Sequence, residues 1–349
     1  MNRTTLIAAA LLATPALAQD IMLIPDSSGD RVWAFSAADG SFITDSFITD
    51  PGAPTGVDVF NRPIEIVESA TGTFLISDQF ADVVSEFAAD GSFIRVFSLG
   101  GVRNTTLMDN IRGLAVLSSG PNAGDVVVCN AGNTNPLTVS QDNVKRLAQA
   151  DGAERPDFAF NRFGGIRGPF DAVEYNGEVL ISTDTQNAIV RLTPDGSFNE
   201  RFTSQFAVPS LDFPQQVAEA SNGNLLVCAF SSGVILEFNP DGTLFGQYDP
   251  GTLSLYRGVA ELDNGNLLVT TTTGVHEVTR TGLVIETEAA GSEFRYITRH
   301  TPAVPPTPAR HAPPAEPVTD TRTRAEIIAD ERGEQRPLSP ASAAREETE

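Results

Sequence analysis

Histidine, cysteine, tryptophan and lysine are all scarce: the 349 residues include three, two, one and one of them respectively. Only His276, His300 and His311 are available as imidazole ligands, and His311 lies in the proline-rich tail. The chain has no Gly-x-Ser-x-Gly elbow, no phosphate loop and no Cys/His nucleophile arrangement. Positive charge is short as well, at 23 Lys and Arg against 45 Asp and Glu, a formal net charge of −22. Such a surface repels nucleic acid and anionic membrane, so neither is an expected partner. Lys145 is the sole lysine, and arginine supplies the other basic residues. Beyond the first residues, no apolar stretch is long enough to cross a bilayer.

What is present begins with an export signal. Met1-Asn2-Arg3 is a short positive region, Leu6 to Leu12 is apolar, and Ala16-Leu17-Ala18 is a small-x-small cleavage site. Residues 1–18 are therefore read as a signal peptide, cleaved after Ala18, and the mature chain as periplasmic or secreted. An oxidising compartment permits a disulfide. Cys129 and Cys228, however, end equivalent strands in two repeats, farther apart than the ~7 Å between Cα atoms that a bridge tolerates. Both are read as small buried residues.

Those repeats dominate the chain, at a period of ~40–50 residues. Asp39-Gly40, Asp90-Gly91, Asp151-Gly152, Asp195-Gly196 and Asp241-Gly242 each follow an apolar strand, as does the weaker Thr281-Gly282. Asp-Gly between apolar runs signals a hairpin, because both residues tolerate positive φ. Upstream of each lies a β-rich run, such as Phe74–Ser77 or Leu267–Thr270, and before that a strand with a Gly-bearing turn. The result is an all-β chain of six units, each with four short antiparallel strands. That pattern fits a six-bladed β-propeller better than a parallel β-helix, which needs shorter rungs and no Asp-Gly hairpins. Stacked sheets need large flat side chains between them, and 21 phenylalanines supply them.

The first unit lacks its opening strand, and a spare one, Phe294–Arg299, follows the sixth. It is expected to complete the first blade and close the ring, removing an open edge. The propeller then spans residues 19–302. From residue 303 to 349 the chain is rich in proline and then in charge, and is read as a disordered tail. A brief helix around Ile327 and Ile328 is the one structured element considered there.

The unit (Pro/Arg)-Gly-Val-Ala, an acidic residue, Gly-Asn-Leu-Leu-Val, then an apolar strand and Pro-Asp-Gly-Thr/Ser-Phe resembles NHL-type repeats. Six such units are similar to six-bladed propellers of the TolB-like class. The resemblance covers roughly Gln19 to Thr301 and implies the fold. By itself it leaves function open, because the class hosts lactonases, lyases, ligand binders and docking platforms. Amidating lyases of this fold use a histidine-bound zinc, for which this chain offers few imidazoles. Streptogramin-type lyases use a histidine with a glutamate and Mg²⁺. Only His276 matches that requirement, and no glutamate is placed beside it.

The candidate site is a series of arginines. Alignment on the turn glycines puts Arg112, Arg257 and Arg295 at one position, with Gln215 in the fifth blade. In the second and fourth blades that position is Ile64 and Phe170, with Arg62 and Arg167 just upstream. The series would ring one mouth of the central channel and hold a carboxylate, phosphate or sulfate by forked hydrogen bonds. Alternatively each arginine pairs with an acidic group of a neighbouring blade, Glu65, Asp171, Glu174 or Glu261, and simply ties blades together.

Three functions stay open at this point. The preferred one is an exported binding protein that takes a small anion or an acidic partner segment at the Arg-lined mouth. The second is a lactonase- or lyase-type enzyme using Ca²⁺ or Mg²⁺ among loop oxygens: Asp26, Asp30, Asp78, Asp82, Asn130, Asp142 and Asp184. No stretch has the spacing of a metal loop, and such residues more often cap turns. The longest of these loops, Asn130 to Asn143, lies in the third blade. The third is a protein–protein scaffold in which the arginines are structural.

Overall fold

The computed structural model describes residues 19–132, 142–160, 166–291, 293–302 and 320–333. The proposed signal peptide, most of the long third-blade loop and most of the tail lie outside the described residues. The fold is all-β, with six sheets of four antiparallel strands arranged in a ring. Counted from the axis, the innermost strands of blades two to six are Pro63–Glu68, Ile111–Val116, Pro169–Tyr175, Pro214–Glu219 and Gly258–Glu261. In the first blade the innermost position is held by Thr298–His300, paired with Ile21–Asp26 through Ile21↔His300, Met22↔Arg299 and Leu23↔Thr298. This strand is shorter than the six residues expected. Its upstream part meets the same partner only at an isolated bridge, Asp26↔Phe294.

Six hydrophobic clusters lie between blades, and each draws residues from two neighbours. Phe74 and Phe87 of the second blade pack with Leu23 and Val32 of the first, for instance. Leu268 of the sixth packs with Met22, Trp33 and Phe35 of the first. The second and third strands are covered on both faces. Phe74–Asp78, Val126–Asn130, Val234–Phe238 and Gly274–Val278 are buried throughout. Polar members of these strands, such as Glu237, His276 and Glu277, are buried along with their apolar neighbours.

The Asp-Gly turns join the third and fourth strands, and they also lock each blade onto the one before. Gly91, Gly152, Gly196 and Gly242 sit at φ between +69° and +88°. A Cβ on Gly91 would lie 2.5 Å from the Phe47 carbonyl of the preceding blade. The other three would come closer still, to the carbonyls of Phe97, Phe158 and Phe202. Two constraints thus select glycine here: backbone conformation and close approach. Replacing Gly242 with alanine is expected to lower stability by roughly 1–3 kcal/mol, read as a shifted denaturant midpoint.

Candidate functional site: an arginine cluster at the channel mouth

Blade-to-blade loops bring the inner-strand starts to one mouth of the channel. Arg62, Arg112, Gln215, Arg257 and Arg295 gather there and are buried, with Arg257 at 0% exposure. Arg167 does not join them. It is exposed, and its charge acts on Asp142 instead, opposing the rise that burial imposes on that carboxyl.

The expected acidic partners are not the actual ones. Glu174 accepts from the Ser118 amide and the Ser119 hydroxyl. Glu261 pairs with Arg280 at 3.0 Å. Glu65 and Asp171 turn the other way, toward the backbone of the next blades. The arginines instead engage Glu293, from the link into the closing strand, and Asp330 and Glu331, from the stretch read as a tail. Arg295 Nη1 donates to both Glu331 oxygens, at 2.8 and 2.7 Å. Its Nη2 donates to Glu293 at 2.6 Å and its Nε to the Ser27 hydroxyl at 2.8 Å. Arg257 Nε donates to Glu331 Oε1 at 2.8 Å, and its Nη2 lies 2.7 Å from the same oxygen. Arg62 grips Asp330 with both terminal nitrogens, at 2.7 and 2.8 Å. Gln215 Nε2 reaches Glu331 Oε2 at 3.4 Å.

The acidic pair arrives on a short helix, Arg324–Glu331. Thr323 caps it: its hydroxyl accepts from the Glu326 amide, and the Glu326 carboxylate accepts in return from the Thr323 amide. Ile327 is buried against Phe170, Phe213, Phe230 and Leu255, with Ile328 packed beside it. Burial of such a side chain contributes ~1.5–3 kcal/mol. Arg322, just before the helix, pairs with Asp320, Asp330 and Glu293.

Electrostatics explains why these groups stay together. Arg62, Arg257 and Arg295 crowd one another, and burial together with the two neighbouring charges lowers the pKa of Arg295. Among the described residues, the propeller offers these three positive charges one carboxylate, Glu293. Asp330 and Glu331 supply two more. Burial pushes the Glu331 and Glu293 carboxyls up, but Arg257, Arg295 and Arg62 outweigh it. Glu331 is held well below the usual carboxylate range, and Glu293 is brought down to about 2.

One residue farther along the inner strands, side chains meet across the channel. Glu65 accepts from the Leu114 amide at 2.7 Å, and Asp171 from the Val217 amide at 2.7 Å. Gln216 accepts from both Val259 and Ile297, at 2.9 and 3.0 Å. Tyr296 of the first blade reaches the Phe170 carbonyl of the fourth at 3.5 Å. The mouth is therefore a cup with a floor rather than an open pore. Burial, together with their mutual repulsion, raises Glu65 well above its ordinary value, and burial raises Asp171 to about 7.

A carboxyl raised in the folded state favours folding only while it keeps its proton. Stability from Asp171 is therefore present below about pH 4 and is lost as pH rises through about 7. Asp171→Asn is expected to keep the Val217 bond and to flatten the fall in urea midpoint between pH 5 and 7.5. Part of the fall will survive in that variant, because burial also raises Asp78 and Glu288 to about 7.

Three of the loop acids offered for a metal, Asp26, Asp78 and Asp82, hold backbone amides instead, whereas Asp184 pairs with Arg332 and Asp30 Oδ1 meets no donor among the described residues. Asp78 accepts four amides, from Asn61, Arg62, Phe80 and Ala81. Asp26 holds the Ser28 and Gly29 amides, and Asp82 the Asn110 amide. Among the described residues, no three or more His, Cys, Asp or Glu side chains converge as a cation would require. His276 is buried among Thr271, Thr273 and Thr287, and burial lowers its pKa to about 4. Cys129 and Cys228 are buried free thiols. No helix among the described residues is long and apolar enough to cross a membrane.

No family model matches the sequence. No curated protein matches it either. Among solved structures, one of a nidogen/laminin complex shares the fold at a TM-score of 0.61 and 13% identity, covering 80% of this chain and 98% of that one. A protein of unknown function from Bacteroides caccae does so at 0.55 and 12%, over 80% and 98%. A streptogramin B lyase does so at 0.50 and 16%, over 82% and 88%. At these identities the likeness is one of fold.

Proposed function

We propose that this chain is an exported β-propeller that binds carboxylate groups at the mouth lined by Arg62, Gln215, Arg257 and Arg295, the natural ligand being an acidic segment of a protein partner. One observation carries the reading. Three buried guanidiniums converge on Glu331, a carboxylate that comes from outside the blades, and among the described residues Glu293 is what the propeller sets against them. Forked guanidinium–carboxylate bonds are strong and directional, so such a cup selects planar anions. The repeat pattern supports an NHL-like, TolB-like propeller, and the leader supports export.

A structural role for the cluster is the second reading, because Arg295 also ties Ser27 to Glu293 within the blades. The two are separated by a thermal-shift screen on a chain whose tail has been released by Ile327→Asp with Glu331→Lys. Di- and tricarboxylates are expected to raise its melting temperature, and Arg257→Glu to abolish that rise. If Arg257→Glu changes stability while no carboxylate produces a shift in either chain, the arginines are structural. A shift with Ca²⁺ or Mg²⁺ alone would instead favour a metal-dependent lactonase or lyase.

A further inference from the structure

Resting on the carboxylate-binding reading above, the geometry points to a narrower partner: we infer that the mouth recognises the C-terminal turn of an acidic helix, and that residues 320–333 are its tethered resident occupant. The side-chain carboxylates are only half of what is held. The last carbonyls of any helix lack partners within it. Here the Asp330 carbonyl accepts from Arg62 at 3.2 Å, and the Glu331 carbonyl from Gln79 at 3.2 Å. The Arg332 carbonyl accepts from Asn110 at 2.9 Å and from Arg112 at 3.0 Å. These four donors are propeller side chains, and the Asp330 carbonyl also accepts from the Gly333 amide of its own segment. A helix presents its negative end at this terminus, so a cationic cup is complementary to the backbone as well as to the side chains.

Arg112 fits this role. Its guanidinium lies 3.6 Å from the Phe170 ring centre, and among the described residues it pairs with no carboxylate. It reads a carbonyl rather than a charge.

The other contacts define a pattern along the helix. Ile327 lies one turn before Glu331 on the same face, so the aliphatic seat and the charge clamp are engaged together. Gly333 follows the helix at φ +74°, and a Cβ there would lie 2.6 Å from Asn110 Oδ1. The recognised segment is thus an aliphatic residue, then Asp and Glu three and four positions on, with a glycine two beyond the glutamate. A partner bearing that pattern competes with the resident segment, which the tether holds at high local concentration.

The test uses the full chain carrying Ile327→Asp and Glu331→Lys, both in the tail, with circular dichroism to confirm an intact propeller. Gly333→Val is a second route to the released state should the first variant fold poorly. The probe is a fluorescein-labelled peptide of residues 320–333, read by anisotropy, beside a scrambled peptide of the same composition. The native peptide is expected to bind the released chain at least about tenfold tighter than the scrambled one, and at least about tenfold tighter than it binds wild type. Equal binding of native and scrambled peptides would overturn the helix-end inference while leaving carboxylate binding intact. Equal binding to wild type and released chains would show that the tail is not the occupant. If neither peptide binds the released chain, the carboxylate reading falls with it.

Discussion

Replacing Glu331 with glutamine releases residues 320–333 from the channel mouth. Glutamine keeps the shape but not the charge, and it takes from Arg62, Arg257 and Arg295 the carboxylate on which all three converge. Removing one partner from a buried ion pair costs about 3–5 kcal/mol. The chain has a cheaper path than unfolding: the tail detaches and water reaches the guanidiniums. The fall in global stability is therefore capped by the docking free energy, and the larger signal is local. Trypsin cleavage at Arg322, Arg324 and Arg332 is expected to accelerate by on the order of a hundredfold or more, because cleavage tracks the open population. Acid produces the same release in wild type. Glu331 titrates below its ordinary range when docked, so its hold on the tail is full above that range and is lost as pH falls below it through the lower docked value. Unchanged cleavage in the glutamine variant would mean that the carboxylate is not what holds the tail.

Charge reversal at Arg295 is expected to have the largest effect on the propeller itself. Its guanidinium joins Glu331, Glu293 and Ser27, and its backbone joins Pro25 and Thr270 where the first and sixth blades meet. A glutamate there would face two carboxylates with no cation between them. A loss of about 3–5 kcal/mol is expected. That is roughly ten degrees in Tm at about 2–4 °C per kcal/mol. Arg257→Glu should release the tail as Glu331→Gln does, with a smaller global loss, because its side-chain pairs run to Glu331 and Glu293. Arg167→Glu, on an exposed residue, should stay within about 0.5 kcal/mol of wild type. Equal melting temperatures for the three variants would contradict this ranking.

The fold was legible because it repeats. Asp-Gly turns, apolar runs and their spacing are local signals, and each blade states them again. The arginine positions were legible for the same reason. Arg62 stands two residues before Ile64, directly ahead of the strand that starts at Pro63, and joins the cluster. Arg167 stands three before Phe170, and it is the one that failed to join the cluster. Two of the misassigned partners, Glu65 and Asp171, each follow the aligned position by one residue and reach the next blade's amides.

The occupant of the mouth could not be read in this way. Glu331 and Arg62 are far apart in sequence, and no local pattern links them. The prolines between residues 302 and 317 argue for an extended chain, and a helix of eight residues is marginal on its own. Its capping box is local, but the burial of Ile327 and the charge balance with the arginines, which add most to it, are tertiary. The available clue was the sequence Ile327-Ile328 with Asp330-Glu331 and Gly333 close behind, an apolar and acidic helix end in a tail whose other branched aliphatics, Val304, Val318 and Leu338, stand singly.

That marginality makes hydrogen–deuterium exchange across residues 324–333 the most direct test of the central claim, that the arginine cup holds this segment by its carboxylates. An undocked helix of this length would exchange almost as fast as an unfolded peptide. With docking, the Ile327, Arg332 and Gly333 amides, which bond to Thr323, Ile328 and Asp330 carbonyls, should be protected in wild type at neutral pH. Protection should vanish in Arg257→Glu while the blade amides keep theirs. Peptide-like exchange of these amides in wild type, or protection that survives Arg257→Glu, would contradict it.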